Sequence, residues 1–140
     1  MAITDWQESY SVKVKLLDQQ HRSLLSLINT FALEQDGDFD QKHYAASINK
    51  LLHYAYTHFA TEERYLTNAH YPELESHILM HTRFIMKMLD LALKIEHGHQ
   101  DERKELQDFL QNWFCSHVLG EDRKYIHCLA LKSKHKGKKK

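Results

Sequence analysis

"HILMH", residues 77–81, sets two histidines four positions apart inside a run otherwise built of Leu, Ile, Met and Phe. Positions four apart on an α-helix differ by only about 40° around its axis, so His77 and His81 share one face. That face is the apolar one. A polar group left unpaired in an apolar core is costly, so the pair predicts partners elsewhere in the chain.

The totals narrow where those partners can be. A chain of 140 residues can bury one hydrophobic core. Four glycines and a single proline, Pro72, favour helices over sheets. No apolar run approaches the roughly 18 residues needed to span a bilayer, and the polar, acidic "MAITDWQESY" does not resemble a signal peptide. A soluble, cytoplasmic protein with no transmembrane segment is the expectation. Cys115 and Cys128 stand in no CxxC pair and read as free thiols. The net charge of zero hides an asymmetry, because "KSKHKGKKK", residues 132–140, carries six lysines. These residues read as a disordered, solubilising tail after a domain spanning 1–131, with a weak contact to anionic surfaces at most and no nucleic-acid binding expected. Twelve histidines are many for a chain of this length.

Outward from residues 77–81, apolar residues at three- and four-residue spacing mark four helices. The third runs from about Pro72 to Glu96, with Leu74, His77, Ile78, His81, Phe84, Ile85 and Met88 on one stripe. The second follows "EQDGDFD", where Asp38 or Asp40 is the expected cap, and lines up Leu51, Tyr54, Ala55, His58, Glu62 and Leu66. The first runs from about Leu16 to Glu34, with Leu17, His21, Leu24, Leu25 and Ile28 inward. The fourth runs from about Asp101 to Leu119, with Leu106, Leu110, Trp113, Phe114 and His117 inward. A short C-terminal helix is expected in "EDRKYIHCLAL". Short connections between four such helices predict an all-α, antiparallel up-down-up-down four-helix bundle with an N-terminal arm.

Each main helix then carries a metal-ligand type on its buried stripe: His21 on the first, His58 and Glu62 on the second, His77 and His81 on the third, His117 on the fourth. Asp122 follows His117 by five positions, about 140° around a regular helix, so both face inward only if the helix loosens. Gly120, lying between them, is expected to make that loosening cheap. Five imidazoles and two carboxylates in one apolar core are satisfied together by metal. Seven ligands suit two ions, and the histidine-rich set favours iron, zinc or manganese over calcium or magnesium.

The pattern H…HxxxE…HxxxH…HxxxxD, one motif per helix in this order, resembles the hemerythrin family and its bacterial members in particular. "ITDWQESYSV", "HFATEERYL…YPELESHILMH" and "FLQNWFCSHVLGED" extend the resemblance over roughly residues 3 to 128. The resemblance implies two irons, one bound by His77, His81 and His117, the other by His21 and His58. Glu62, Asp122 and an oxo or hydroxo group would bridge them, leaving one open position on the iron held by two histidines. It implies reversible dioxygen binding for transport, storage or delivery, and not an enzyme. The competing expectations are an oxygen or redox sensor acting through a separate partner, and a di-iron oxidase or peroxidase. An apolar wall should shield the open position, and helical spacing nominates Leu24, Leu25, Phe59, Trp113 and Val118. Val118 stands where the family often has isoleucine, which would widen access. Trp6 is read as an anchor for the arm. His43, His53, His70, His97, His99, His127 and His135 have no place in the pattern and are expected at the surface or in loops.

Overall fold

The computed structural model describes residues 5–33, 41–98 and 102–138, with no side-chain description at 41 and 133–138. Four helices carry the fold: α1 (Lys15–Leu33), α2 (Gln41–Asn68), α3 (Leu74–Glu96) and α4 (Glu102–Trp113). Beyond α4 the chain continues as a π-helical segment (Phe114–Glu121), a 3-10 turn (Asp122–Tyr125) and α5 (Ile126–Lys138). Each helix packs on its neighbour in sequence, and α1 closes the ring against α4. This is the expected all-α bundle, with no strand among the described residues.

The buried stripes follow the expected spacing. Leu17, His21, Leu24, Leu25, Ile28 and Phe31 are the buried residues of α1; His77, His81, Phe84, Met88, Leu91 and Ile95 are those of α3. The ends of the helices have local causes. Gly98, with φ of 93°, follows α3 and supplies the left-handed residue that a helix C-terminus favours. At the end of α2 the same place is held by His70, with φ of 55°. There the amide of Tyr71 bonds the carbonyl of Leu66 at 3.0 Å and that of His70 bonds Thr67 at 3.1 Å. Leu66 and Tyr71 also share one apolar cluster, which completes a Schellman-type stop.

Three expectations need adjustment. Helix α3 begins at Leu74, and Pro72 sits in the turn before it, because the chain must first reverse after α2. Helix α4 is α-helical only to Trp113 and then widens into the π segment. Helix α5 runs on to Lys138, well into the lysine-rich residues read as a disordered tail. The expected caps Asp38 and Asp40 lie outside the described residues.

Two apolar clusters fill the bundle. The larger includes Leu24, Ile28, Phe59, Phe84, Met88, Leu110 and Phe114; the smaller joins Val12, Leu17, Leu66, Tyr71, Tyr125 and Leu129. The seven polar residues lie in the layer where the two clusters meet, Asp122 between Val118 and Tyr125 for example. His21 follows Leu17 and precedes Leu24, and Glu62 lies between Phe59 and Leu66. The arm closes the smaller cluster. Asp18 accepts hydrogen bonds from the Ser11 hydroxyl and, at 2.8 Å, from the Val12 amide, and Arg123 donates to the carbonyls of Ser9 and Ser11. Trp6 packs edge-on against Tyr10 with the Arg22 guanidinium 5.2 Å over its ring, the anchoring contact expected of it.

Candidate metal centre

Five elements, α1, α2, α3, the π-helical segment and the 3-10 turn, deliver seven side chains to one buried layer. His21, Glu62 and Asp122 are fully buried, and His58, His77, His81 and His117 are nearly so. The i, i+4 spacing on α2 and α3 does this directly for His58 with Glu62 and for His77 with His81. The five-residue spacing of His117 and Asp122 is met by the π-helical geometry that leads from one to the other, whose hydrogen bonds span five residues. The amide of Asp122 bonds the carbonyl of His117, so the two groups sit one π-turn apart. Gly120 is not what permits this. The widened segment begins at Phe114, Gly120 has no positive φ, and a Cβ there would meet only the Cys115 carbonyl oxygen at 4.0 Å.

The ligand atoms sort into two groups that share both carboxylates. Glu62, His77, His81, His117 and Asp122 offer one set of atoms within 4.8 Å of one another; His21, His58, Glu62 and Asp122 offer the second. Each carboxylate divides its oxygens between them. Glu62 Oε1 lies 2.7 Å from His77 Nε2 and 3.0 Å from His81 Nε2, whereas its Oε2 faces His58 and His21 at 3.3 and 3.4 Å. Asp122 Oδ1 lies 3.0 Å from His77 Nε2 and 3.1 Å from His117 Nε2, and its Oδ2 is 3.1 Å from His21 Nε2. Neighbouring ligands around an octahedral ion with bonds of about 2.1 Å stand about 3 Å apart, so these separations fit metal coordination.

The outer hydrogen bonds decide which nitrogen of two rings carries a proton. His58 Nδ1–H donates to Gln20 Oε1 at 2.7 Å, and His81 Nδ1–H donates to Glu63 Oε2 at 2.7 Å. In the neutral ring each Nε2 then presents a lone pair toward a Glu62 oxygen, an arrangement that is favourable only with a cation between them. The Nε2 atoms of His21, His81 and His117 and both Asp122 oxygens are buried without a hydrogen-bond partner among the described residues. Buried polar atoms are seldom left so. Metal accounts for all of them at once.

Without a cation the charges compensate each other. Burial pushes His21 and His77 down, but Asp122 and Glu62 outweigh it and hold them up at about 9 and about 10. Burial alone would raise both carboxyls; the surrounding histidines hold Glu62 well below its ordinary value and Asp122 below its own. For His58 burial wins and the ring is pushed down. The Tyr125 hydroxyl donates to Glu62 Oε2 at 2.9 Å, and burial, then the Glu62 and Asp122 charges, push its pKa well above 10.

Sequence reading nominated all seven converging residues. It missed Gln20, Glu63 and Tyr125, which orient them. Gln20 precedes His21 and Glu63 follows Glu62, so adjacency to a nominated residue was the available signal. Of the nominated wall, Leu24, Leu25, Phe59 and Val118 are buried in the larger cluster. Phe59 stacks on His81 at 3.9 Å and also approaches His58 at 6.0 Å, whereas Trp113 stacks on His117 at 4.8 Å. His43, His53, His70, His97 and His127 are exposed as expected, while His99 and the His135 side chain lie outside the described residues.

A helical bundle enclosing paired histidine and carboxylate groups defines a class of two-metal proteins. The sequence profile of the hemerythrin HHE cation binding domain matches residues 12–129, and the chain belongs to the hemerythrin family. It is 29% identical over 125 residues to a bacteriohemerythrin of Stenotrophomonas maltophilia, covering 89% of this chain and 80% of that one. It is 30% identical over 125 residues to a bacteriohemerythrin of Clostridium acetobutylicum, covering 86% of this chain and 97% of the relative. A crystal structure of wild-type hemerythrin superposes with a TM-score of 0.74 over 91% of this chain and 98% of that one, at 23% identity, a likeness of fold.

Proposed function

We propose that the protein binds dioxygen reversibly at a di-iron centre and serves in oxygen transport, storage or delivery. His77, His81 and His117 would hold one iron and His21 and His58 the other, with Glu62 and Asp122 each offering one oxygen to either side and a solvent-derived oxo or hydroxo group completing the set. The observation that carries this reading is the division of each carboxylate's two oxygens between a three-histidine and a two-histidine group. A ferrous pair bound there would supply two electrons for reversible dioxygen uptake.

The chain's own part is orientation and exclusion. Gln20 and Glu63 fix the tautomers of His58 and His81, and Tyr125 holds Glu62 in place. Leu24, Leu25, Phe59 and Val118 keep the layer dry on the side of the larger cluster. Among the described residues, the titratable groups hydrogen-bonded to the layer beyond the seven ligands are Glu63, committed to His81, and Tyr125, held neutral. Neither is free to exchange a proton with a substrate, which supports binding over turnover. Val118 is fully buried, and exchange for isoleucine would narrow the space beside His117. Slower autoxidation of Val118→Ile than of the parent is expected, and equal rates would remove Val118 from the wall.

The reading places the functional domain at residues 1–131. Residues 132–140, outside the matched residues, are assigned a weak contact with anionic surfaces, tested by deleting them and repeating vesicle binding at two salt concentrations. Among the described residues no helix is long and apolar enough to cross a membrane. A cytoplasmic setting suits the free thiols Cys115 and Cys128.

The test is an optical spectrum of metal-assayed protein, reduced without air, exposed to oxygen and then deoxygenated. Two irons per chain and a visible band that appears with oxygen and disappears on its removal are expected. Steady oxygen consumption with a reductant would shift the assignment to an oxidase, and immediate irreversible oxidation to a redox sensor.

A further inference from the structure

We infer that α3, besides carrying His77 and His81, is a dimerisation helix whose outer face pairs antiparallel with α3 of a second copy of this chain. The observation is a second stripe on the helix. Leu79, Thr82, Met86, Leu89 and Leu93 recur at alternating steps of three and four. At 100° per residue this stripe points about 160° away from the buried face. It is apolar and lies open: Leu79 is 48% exposed, Met86 65%, Leu89 48% and Leu93 55%. An isolated exposed leucine means nothing, but four exposed apolar side chains on one stripe carry information in their spacing.

Its period says what kind of surface it fits. Alternating three and four is the 3.5-residue repeat that packs one helix along another, with side chains of one seated between those of its partner. A lipid surface would favour unpaired cations along the border of the strip. Of the three cations on the helix, Lys87 is paired with Glu105 and Lys94 with Asp90 within the chain, which leaves Arg83 alone where a lipid surface would favour a row. A second copy is selected by charge. In an antiparallel pair with Met86 opposite the partner copy's Leu89 and Thr82 opposite its Leu93, Arg83 on one border comes beside the partner copy's Asp90. That carboxylate meets its own Lys94 at 3.3 Å through one exposed oxygen and offers Arg83 the other. The two-fold axis repeats that pairing. Arg83 makes no hydrogen bond or ion pair among the described residues, so it is available. On the other border Ile85 meets the partner copy's Ala92, apolar against apolar. A parallel pair would instead set Asp90 beside Ile85 and Arg83 beside Ile78, leaving both charges against apolar neighbours. The strip from Leu79 to Leu93 is about 21 Å long and presents on the order of 400 Å² per copy. Two copies together would bury about 800 Å², below the size of stable specific interfaces, so the dimer is weak, transient and concentration-dependent.

The experiment is sedimentation equilibrium of the full-length, metal-loaded protein from about 1 μM to about 1 mM, with helicity and metal content checked for every variant. The expected result is a monomer–dimer equilibrium that Met86→Glu abolishes. Arg83→Asp and Asp90→Arg each weaken it about tenfold or more by setting like charges together, and the double exchange restores it. Restoration is the signature of the antiparallel register. A monomer throughout the range overturns the proposal, and so does a dimer indifferent to Met86→Glu. Failure of the double exchange to restore pairing overturns the antiparallel arrangement. Vesicle binding by the parent that Met86→Glu removes, with no dimer, gives the face to a membrane and overturns the proposal as well.

Discussion

Replacing Tyr125 with phenylalanine tests the centre without touching a ligand. The Tyr125 hydroxyl donates to Glu62 Oε2 at 2.9 Å, and both residues are fully buried. The other neighbours of that oxygen, His58 and His21, stand at 3.3 and 3.4 Å, and the His58 nitrogen facing it carries no proton in the neutral ring. Phenylalanine keeps the ring contacts with Tyr71 and His77 and leaves little void. The loss is therefore mainly one hydrogen bond to a buried charge, about 2–3 kcal/mol. In a chain of this length that lowers the midpoint of thermal unfolding by roughly 8 °C in the metal-free protein. A cation at Oε2 supplies what the hydroxyl supplied, so the metal-loaded variant should lose clearly less, and metal should raise its midpoint more than it raises the parent's. Because the hydroxyl stays protonated well past neutrality, the difference should be flat from pH 6 to 9. The assay is urea and thermal unfolding of both forms of parent and variant. An unchanged metal-free stability would refute the hydrogen bond, and equal losses in the two forms would refute a cation at Oε2.

Other expectations are independent of that one. His70 holds φ of 55° at the end of α2, so His70→Gly should stabilise the protein by about 0.5–1 kcal/mol in urea unfolding. Destabilisation would mean that the histidine side chain holds the turn. Since nothing crowds a Cβ at Gly120, Gly120→Ala should leave metal content unchanged and add up to about 1 kcal/mol. Metal loss in that variant would restore to the glycine the role denied it above. His21 and His77 keep protons to about 9 and about 10 in the metal-free protein, and a metal must displace them. Uptake at pH 7 should release about two protons from the histidines and one or two more from the water that becomes the hydroxo or oxo group, and affinity should climb as pH rises toward 9. Calorimetry in buffers of different ionisation enthalpy reads the count, and uptake with no proton release would contradict the site.

The helices, their buried faces and the seven converging residues were all legible before any coordinates. Local periodicity is a property of the chain alone: His58 and Glu62, or His77 and His81, must share a face wherever a helix forms. Polar residues on an apolar stripe then stand out, because burying them unpaired would be prohibitive. The spacing of His117 and Asp122 showed that the fourth helix had to depart from α-geometry. It did not show how, and the glycine between them drew attention away from the π-turn that begins at Phe114.

What the sequence by itself determined, then, is which groups face inward and that they need a common partner. Only the tertiary structure decided how they are shared. The distribution of Glu62 and Asp122 oxygens between two groups, the stacking of Phe59 on His81, and the hydrogen bonds of Gln20, Glu63 and Tyr125 all cross from one element to another. Periodicity specifies the direction in which a side chain leaves its own helix, but not the distance or rotation of the next helix. Those are set by the close packing of the two apolar clusters on either side of the site, to which residues along every helix contribute.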